Sequence, residues 1–349
     1  MVDAATATID GQGTQVSERT TIVGEINQVE VDPGHEMIEQ AARLLLDGGL
    51  VAFPTETVYG LGALALSPQA VRRIFEAKGR PATNPLICHV WSVDQARSLA
   101  AEWPELAQRL ADEFWPGPLT IVVPRSSRVP DEVCAGLETV AIRMPAHPVA
   151  RALIEAVGEP LAAPSANRYT EVSPTSAAHV LDGLEGRIEM VLDGGGCQVG
   201  LESTLVALVG DEIEILRPGM VGAEQLAEVA RVRDFKAQVV DDLKARPSPG
   251  LSRRHYSPTA PVRVVEGGEF EGLRRGVGTK IGLLGLCGAG RSDGADRRFL
   301  PADPDGYARG LYGALRYLDR RGVDEIVIEA PPREGRWTAI YDRLARMGR

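Results

Sequence analysis

Apolar positions recur along this chain in two textures. Between about His35 and Ala230, short runs of consecutive apolar residues alternate with stretches in which they return every three or four positions. Met37, Ile38, Ala41, Leu44 and Leu45 follow the second rule and predict a helix, which Gly48 and Gly49 stop. The run over 50–53 follows the first rule and predicts a short buried strand. Ser67 then Pro68 reads as an N-cap with proline at the first helical position, opening a helix with Val71, Ile74 and Phe75 on one face. Further strands are expected over 86–90, 119–123, 140–144, 160–163, 190–192, 203–208 and 212–216. The last two form a hairpin around Gly210 and Asp211. Helices are expected near 104–114, 148–157 and 174–181, the last capped by Ser173.

Past Ala230 the texture changes. Residues 231–261 are charged, proline-containing and weakly periodic, the composition of a linker. A second alternation follows, with strands over 262–265, 281–286 and 324–330. A helix over 307–321 carries Leu311, Leu315 and Leu318 on one side. Strands alternating with helices predict a parallel, Rossmann-like sheet. Four segments result: a mostly disordered N-terminal extension over 1–30 with a short strand near 20–23, an α/β domain over 31–230, a linker over 231–261 and a smaller α/β domain over 262–349. The extension is polar and lacks the basic start and apolar core of a secretory signal.

Composition narrows the function. The 349 residues carry a net charge of −10, and the pI is near 5.2. This balance opposes a protein held on nucleic acid by broad phosphate neutralisation, yet permits a local basic pocket for a small polyanion. No run reaches the ~18 apolar residues that span a bilayer. The four cysteines form no Cys-x-x-Cys pair and no cluster with zinc-ligand spacing, as expected of reduced thiols in a cytoplasmic protein.

Three segments carry candidate chemistry. In Phe53-Pro54-Thr55-Glu56-Thr57-Val58-Tyr59-Gly60-Leu61-Gly62, a buried strand ends in proline, hydroxyls, a carboxylate and two glycines. Strand ends are where α/β sheets place ligand contacts. Thr55 or Thr57 can bond a polar ligand, and the glycines would let backbone approach it. The blander alternative, a strand–turn with capping hydroxyls, is equally compatible with this segment alone. In Lys78-Gly79-Arg80, followed by Asn84 and His89, two cations leave a helix end on an irregular loop where they can converge on phosphates. A lone Lys-x-Arg is usually a solvated helix end, and a lone histidine in an apolar strand is usually a satisfied core residue. In Leu161-Ala162-Ala163-Pro164-Ser165-Ala166-Asn167, a strand breaks and presents Ser165 and Asn167, directional hydrogen-bonding groups without charge. Arg143 ends a strand before proline and can bind a carboxylate. Glu202-Ser203-Thr204 follows a glycine-rich stretch over 194–200, and Arg217 closes the hairpin. The chain has no Gly-x4-Gly-Lys-Ser/Thr loop, kinase catalytic loop or Gly-x-Ser-x-Gly elbow.

Lys78-x-Arg80 with Ser165-x-Asn167, preceded by Pro54 to Gly62, resembles the YrdC-like threonylcarbamoyl-AMP synthase family over about 48–219. His255-Tyr256-Ser257-Pro258 and the domain after it resemble that family's two-domain branch. The resemblance implies an α/β fold: a twisted open sheet with a basic concave face, plus the smaller Rossmann-like domain. It implies that L-threonine, bicarbonate and ATP are joined into threonylcarbamoyl-AMP and pyrophosphate. The product would pass to a tRNA threonylcarbamoyl transferase for threonylcarbamoyladenosine modification. By the same motifs, Lys78, Arg80, Ser165 and Asn167 would form the catalytic signature. ATP would be held by Arg80, Asn84, Thr139, Ser165, Ser173, Arg217 and Tyr256, with the linker as a lid. Threonine would be held by Thr57, His89, Arg143, Ala163 and Ser203, the choice between Thr55 and Thr57 staying open. Mg2+ would be bridged by substrate rather than caged by protein, and no stable nucleic-acid complex or membrane contact is expected. Cys88 and Ser257 depart from the usual aliphatic residue and alanine, without removing a motif residue. Competing readings are an RNA-binding protein, a non-catalytic nucleotide or threonine sensor, and a carbamoyl-handling domain of the hydrogenase-maturation type.

Overall fold

The structure is a computed structural model that describes residues 8–9, 15–16, 20–28, 31–233, 256–273, 279–288 and 290–347. A ten-stranded mixed sheet forms the larger unit. Its order is Glu212–Arg217, Thr204–Val209, Leu119–Pro124, Thr139–Arg143, Ile87–His89, Leu161–Ala162, Gly60–Leu64, Val51–Phe53, Met190–Asp193 and Ile22–Glu25. The edge strand Ile22–Glu25 runs parallel to Met190–Asp193. Part of the extension expected to be mostly disordered is therefore built into the sheet.

Two of the expected helices form close to their expected bounds. Glu36–Leu46 buries Ile38, Ala41, Ala42 and Leu45. Pro68–Lys78 starts at Ser67, whose hydroxyl accepts the Ala70 N–H at 3.3 Å. It ends at Gly79 with φ 64, a left-handed cap that glycine adopts without steric penalty. That cap releases the chain so that Arg80 turns back across its own loop. The helix expected near 174–181 instead spans Ala177–Leu184, capped by Ser176. Ser173 is not its cap: its hydroxyl donates to Glu202 Oε1 at 2.6 Å, a charge-assisted bond that outcompetes a cap.

Gly60 and Gly62 lie inside a strand; Gly60 lines the cavity described below, whereas Gly62 does not. A Cβ on Gly62 would come within 2.7 Å of the Phe53 ring across the antiparallel pair. Close packing of that aromatic explains this glycine.

The smaller unit is a four-stranded, all-parallel sheet in the order Val262–Val265, Glu325–Glu329, Ile281–Leu286, Arg297–Leu300. The strand Arg297–Leu300 and the final helix Trp337–Met347 are not among the elements expected from the sequence. Helix Pro304–Arg320 packs its apolar side, including Tyr307, Leu311, Tyr312 and Leu315, into a core that also contains Val58, Val172, Leu201 and Met220 of the larger unit. Gly200, at φ 81, lets this helix approach: a Cβ there would stand 2.5 Å from Arg309 Cα. Arg309 donates to the Gln198 carbonyl at 2.7 Å. The linker and lid expected over 231–261 fall largely on 234–255, outside the described residues, as does His255. Beyond that gap, the Ser257 N–H donates to Thr170 O at 2.9 Å and anchors the chain on the larger unit.

Candidate functional site

The loops that end these strands surround a cavity. Thr55, Thr57, Arg80, His89, Arg143, Ala163, Ser165, Ser203, Arg217 and Tyr256 all line it, so the structure gathers most of the residues singled out from separate motifs.

One set is built on Arg143. Its strand runs parallel to Ile87–His89, with His89 directly opposite Arg143. The Arg143 guanidinium donates to Thr57 Oγ1 at 2.9 Å, to Glu56 Oε1 at 2.6 Å and to the Gly117 carbonyl at 3.3 Å. Both Arg143 and Glu56 are buried. The Thr55 hydroxyl is 2.8 Å from that of Thr57, donates to the Val58 carbonyl and accepts the Thr57 and Val58 N–H groups. Thr55 thus shapes the turn, and Thr57 is the threonine that touches the arginine.

His89 Nδ1 lies 3.3 Å from the Ile87 carbonyl, an acceptor only, so Nδ1 carries the proton and Nε2 is left as an acceptor. Burial, with Arg143 beside it, lowers the His89 pKa to about 3. The folded state therefore keeps this imidazole neutral, while the unfolded chain takes up a proton near pH 6.5. The stability it confers is complete above pH 6.5 and is lost as pH falls from there toward 3. Between pH 7 and 5, wild type is expected to lose about 2 kcal/mol more than His89→Gln in urea melts. Equal losses in the two proteins would contradict this assignment.

A second set joins Arg217 and Ser203. Arg217 donates to the Ser203 carbonyl at 2.9 and 3.2 Å and to its hydroxyl at 3.1 Å, and that hydroxyl is 2.7 Å from Thr120 Oγ1. Burial lowers the Arg217 pKa, and Arg343 adds to this. Glu202 is the residue the sequence named without giving it a role. It lines the cavity, accepts from Ser173, Tyr312 and Arg343, and its distances to Tyr312 are 3.0 and 3.3 Å. Burial pushes its carboxyl up, but Arg343, Arg217 and the Ser173 bond outweigh this and hold it below the ordinary carboxylate value. Tyr256 is buried at φ 60, a left-handed conformation that costs a non-glycine residue about 1–2 kcal/mol. Its ring stacks on Tyr312 with centroids 6.0 Å apart.

Several expected residues sit outside the lining. Lys78 is buried and donates to the carbonyls of Ser165 and Asn167, tying the helix end to the loop that bears both residues. Burial, then Arg80, lowers its pKa well below the usual lysine value. Asn167 donates to the carbonyls of Arg168 at 2.6 Å and Glu171 at 2.9 Å, stitching that loop. Ser173 reaches the site only through Glu202. Thr139 begins the strand that Arg143 ends, four residues or about 13 Å away, because extended chain rises ~3.3 Å per residue. Asn84 is buried beside the lining residue Pro85, and neither its Oδ1 nor its Nδ2 has a partner among the described residues. Arg80 donates to the carbonyls of Asn84 and Pro85, the shortest bond being 2.9 Å.

Among the described residues no three His, Cys, Asp or Glu side chains cluster to hold a metal ion. The carboxylates nearest the cavity, Glu56 and Glu202, are each paired with an arginine. This donor set does not fit a protein-held magnesium. No helix among the described residues is long and apolar enough to cross a membrane.

The chain is similar to known proteins over most of its length. A family model described as "Telomere recombination", covering Sua5, YciO and YrdC, matches residues 43–219. A second, described as "Threonylcarbamoyl-AMP synthase, C-terminal domain", matches 221–347. A threonylcarbamoyl-AMP synthase of Pyrococcus abyssi is 45% identical over 320 residues, 88% of this chain and 93% of that protein. One of Bacillus subtilis is 43% identical over 329 residues, 91% and 94% of the two chains. The crystal structure of P. abyssi Sua5 complexed with L-threonine superposes with a TM-score of 0.84 at 42% identity, covering 94% of this chain and 99% of that one.

Proposed function

Because this chain belongs to the Sua5/YrdC family and carries the C-terminal domain of threonylcarbamoyl-AMP synthases, we propose that it joins L-threonine, bicarbonate and ATP into threonylcarbamoyl-AMP and pyrophosphate. The observation that carries this reading is the gathering of Arg80, Arg143 and Arg217 around one cavity, each fixed by carbonyls or hydroxyls. Threonine's carboxylate would meet Arg143, with Thr57 and the neutral His89 Nε2 beside it. The ATP phosphates would meet Arg80 and Asn84, whose unpartnered amide is a buried polar group awaiting a ligand. Ser165, presented by the loop that Lys78 holds, would complete the phosphate side, and Tyr256 would cover the nucleotide.

Both sets line the one cavity, and we place the reaction between them, with Arg143 on one side and Arg217 with Ser203 on the other. Threonine's amine captures the CO2 derived from bicarbonate and forms a carbamate. A carbamate oxygen then attacks the α-phosphorus, and the bond to the pyrophosphate oxygen breaks. The nucleophile belongs to the substrate, so no side chain need be modified. The protein contributes position and fixed positive charge. Magnesium, if it accompanies ATP, would ride on substrate oxygens and water. The product would serve a transferase that modifies tRNA, in the cytoplasm where tRNA and ATP meet.

Mass spectrometry of the purified protein with ATP, bicarbonate and threonine tests this. The adenylate and pyrophosphate are expected to form together and only with all three substrates. Pyrophosphate release that ignores threonine would overturn the reading.

A further inference from the structure

We propose that Arg343 and Tyr312 of the C-terminal unit are positioning residues for nucleotide binding, acting through Glu202 and Tyr256 of the cavity wall. The inference rests on the reading above that Tyr256 faces the nucleotide.

Arg343 is fully buried on the helix Trp337–Met347. Its Nε donates to Glu202 Oε2 at 2.7 Å, and its guanidinium carbon lies 5.1 Å from the centre of the Tyr256 ring. Tyr312, from a different helix, donates to the same carboxylate at 3.0 Å and stacks on the same ring, the planes 20° apart. Two side chains of the C-terminal unit thus each touch the same two cavity residues, one carboxylate and one aromatic. This double contact fixes orientation as well as distance. The Asp342 carboxylate, bonded at 2.8 Å to Arg343 Nη1, holds the guanidinium from behind.

An ion pair buried this deeply is a poor source of net stability, because both charges lose their hydration. An apolar contact would glue the two units together as well. What the pair supplies is direction. Glu202 directly precedes Ser203, on whose carbonyl Arg217 rests, so a displaced carboxylate would disturb the guanidinium assigned to ATP. Tyr256 follows the linker and adopts a left-handed backbone, and its ring packs against both Tyr312 and Arg343. The C-terminal unit therefore forms part of the nucleotide site without itself touching the nucleotide.

Nucleotide affinity measured by calorimetry with a non-hydrolysable ATP analogue, together with steady-state kinetics, tests this in the full chain. Arg343→Met is expected to weaken analogue binding and raise KM for ATP about tenfold, with KM for threonine changed less than twofold. Arg343→Lys, which keeps the charge, should recover much of the loss. Tyr312→Phe keeps the stack and removes one donor to Glu202. It should raise KM for ATP two- to fivefold in a protein that still folds, since Arg343 continues to pair with Glu202, so the proposal remains testable even if Arg343→Met does not fold. Unchanged analogue affinity in Tyr312→Phe, or equal loss toward both substrates in any of these variants, would overturn it. A wild type that binds the analogue but makes no product would sink the proposed function alone, because the affinity comparison does not depend on turnover.

Discussion

Arg80→Ala is expected to lower kcat/KM for ATP by roughly 10²–10³, the loss typical when one fixed donor to a charged transition state is removed. The side chain lines the cavity and is already aligned by the carbonyls of Asn84 and Pro85. Its ordering is therefore complete before ATP arrives, and truncation removes an organised charge rather than a mobile one. Lys78→Ala is expected to fall in the same range by another route. Its ammonium spans the carbonyls of Ser165 and Asn167, so its loss frees the loop that presents Ser165. The two variants should separate in a second measurement. Lys78→Ala should lower the melting temperature and increase exchange of amides around 164–169, whereas Arg80→Ala should leave that loop protected. ATP-to-pyrophosphate turnover near wild type in both, with threonine and bicarbonate present, would overturn the assignment of this site.

That contrast shows what the sequence could carry. Lys78-x-Arg80 signals two cations on one loop, but spacing is silent on which way each points. The helix cap at Gly79 decides it, directing Lys78 toward backbone carbonyls and Arg80 along the cavity wall. Periodicity located the strands that end in His89 and Arg143, because a buried strand writes itself as a run of apolar residues. It missed the strand Gly60–Leu64, whose glycines mimic a loop while making room for Phe53. It also missed the partners of Glu202. Arg343 and Tyr312 lie on amphipathic helices whose sequences look like any surface helix with an apolar face. Only the docking of the two units, permitted at Gly200, turns those positions inward. Thr139 was carried by resemblance to a motif, and the strand's length keeps it from the lining that Arg143 reaches.

Arg143→Met should abolish most threonine-dependent turnover, and the difficulty is to tell lost binding from lost folding. Arg143 and Glu56 form an ion pair with both side chains less than a tenth exposed. Removing one partner leaves a buried carboxylate uncompensated, which costs about 3–5 kcal/mol. Glu56 also accepts the Ala146 N–H at 3.0 Å, so a neutral amide in its place retains an acceptor for that bond. The double variant Arg143→Met/Glu56→Gln removes both charges, and such replacements are often close to neutral. Its urea midpoint is therefore expected to return most of the way to wild type, giving a coupling of 2 kcal/mol or more, on the order seen for contacting residues. Its kcat/KM for threonine is expected to stay depressed by roughly 10²–10³, because a neutral side chain cannot hold a carboxylate as a guanidinium does. Stability and activity then part company in one protein. A double variant that folds and also recovers threonine turnover would make the pair a structural strut and would move the threonine carboxylate elsewhere in the cavity, with Arg217 the remaining guanidinium within reach of Ser203.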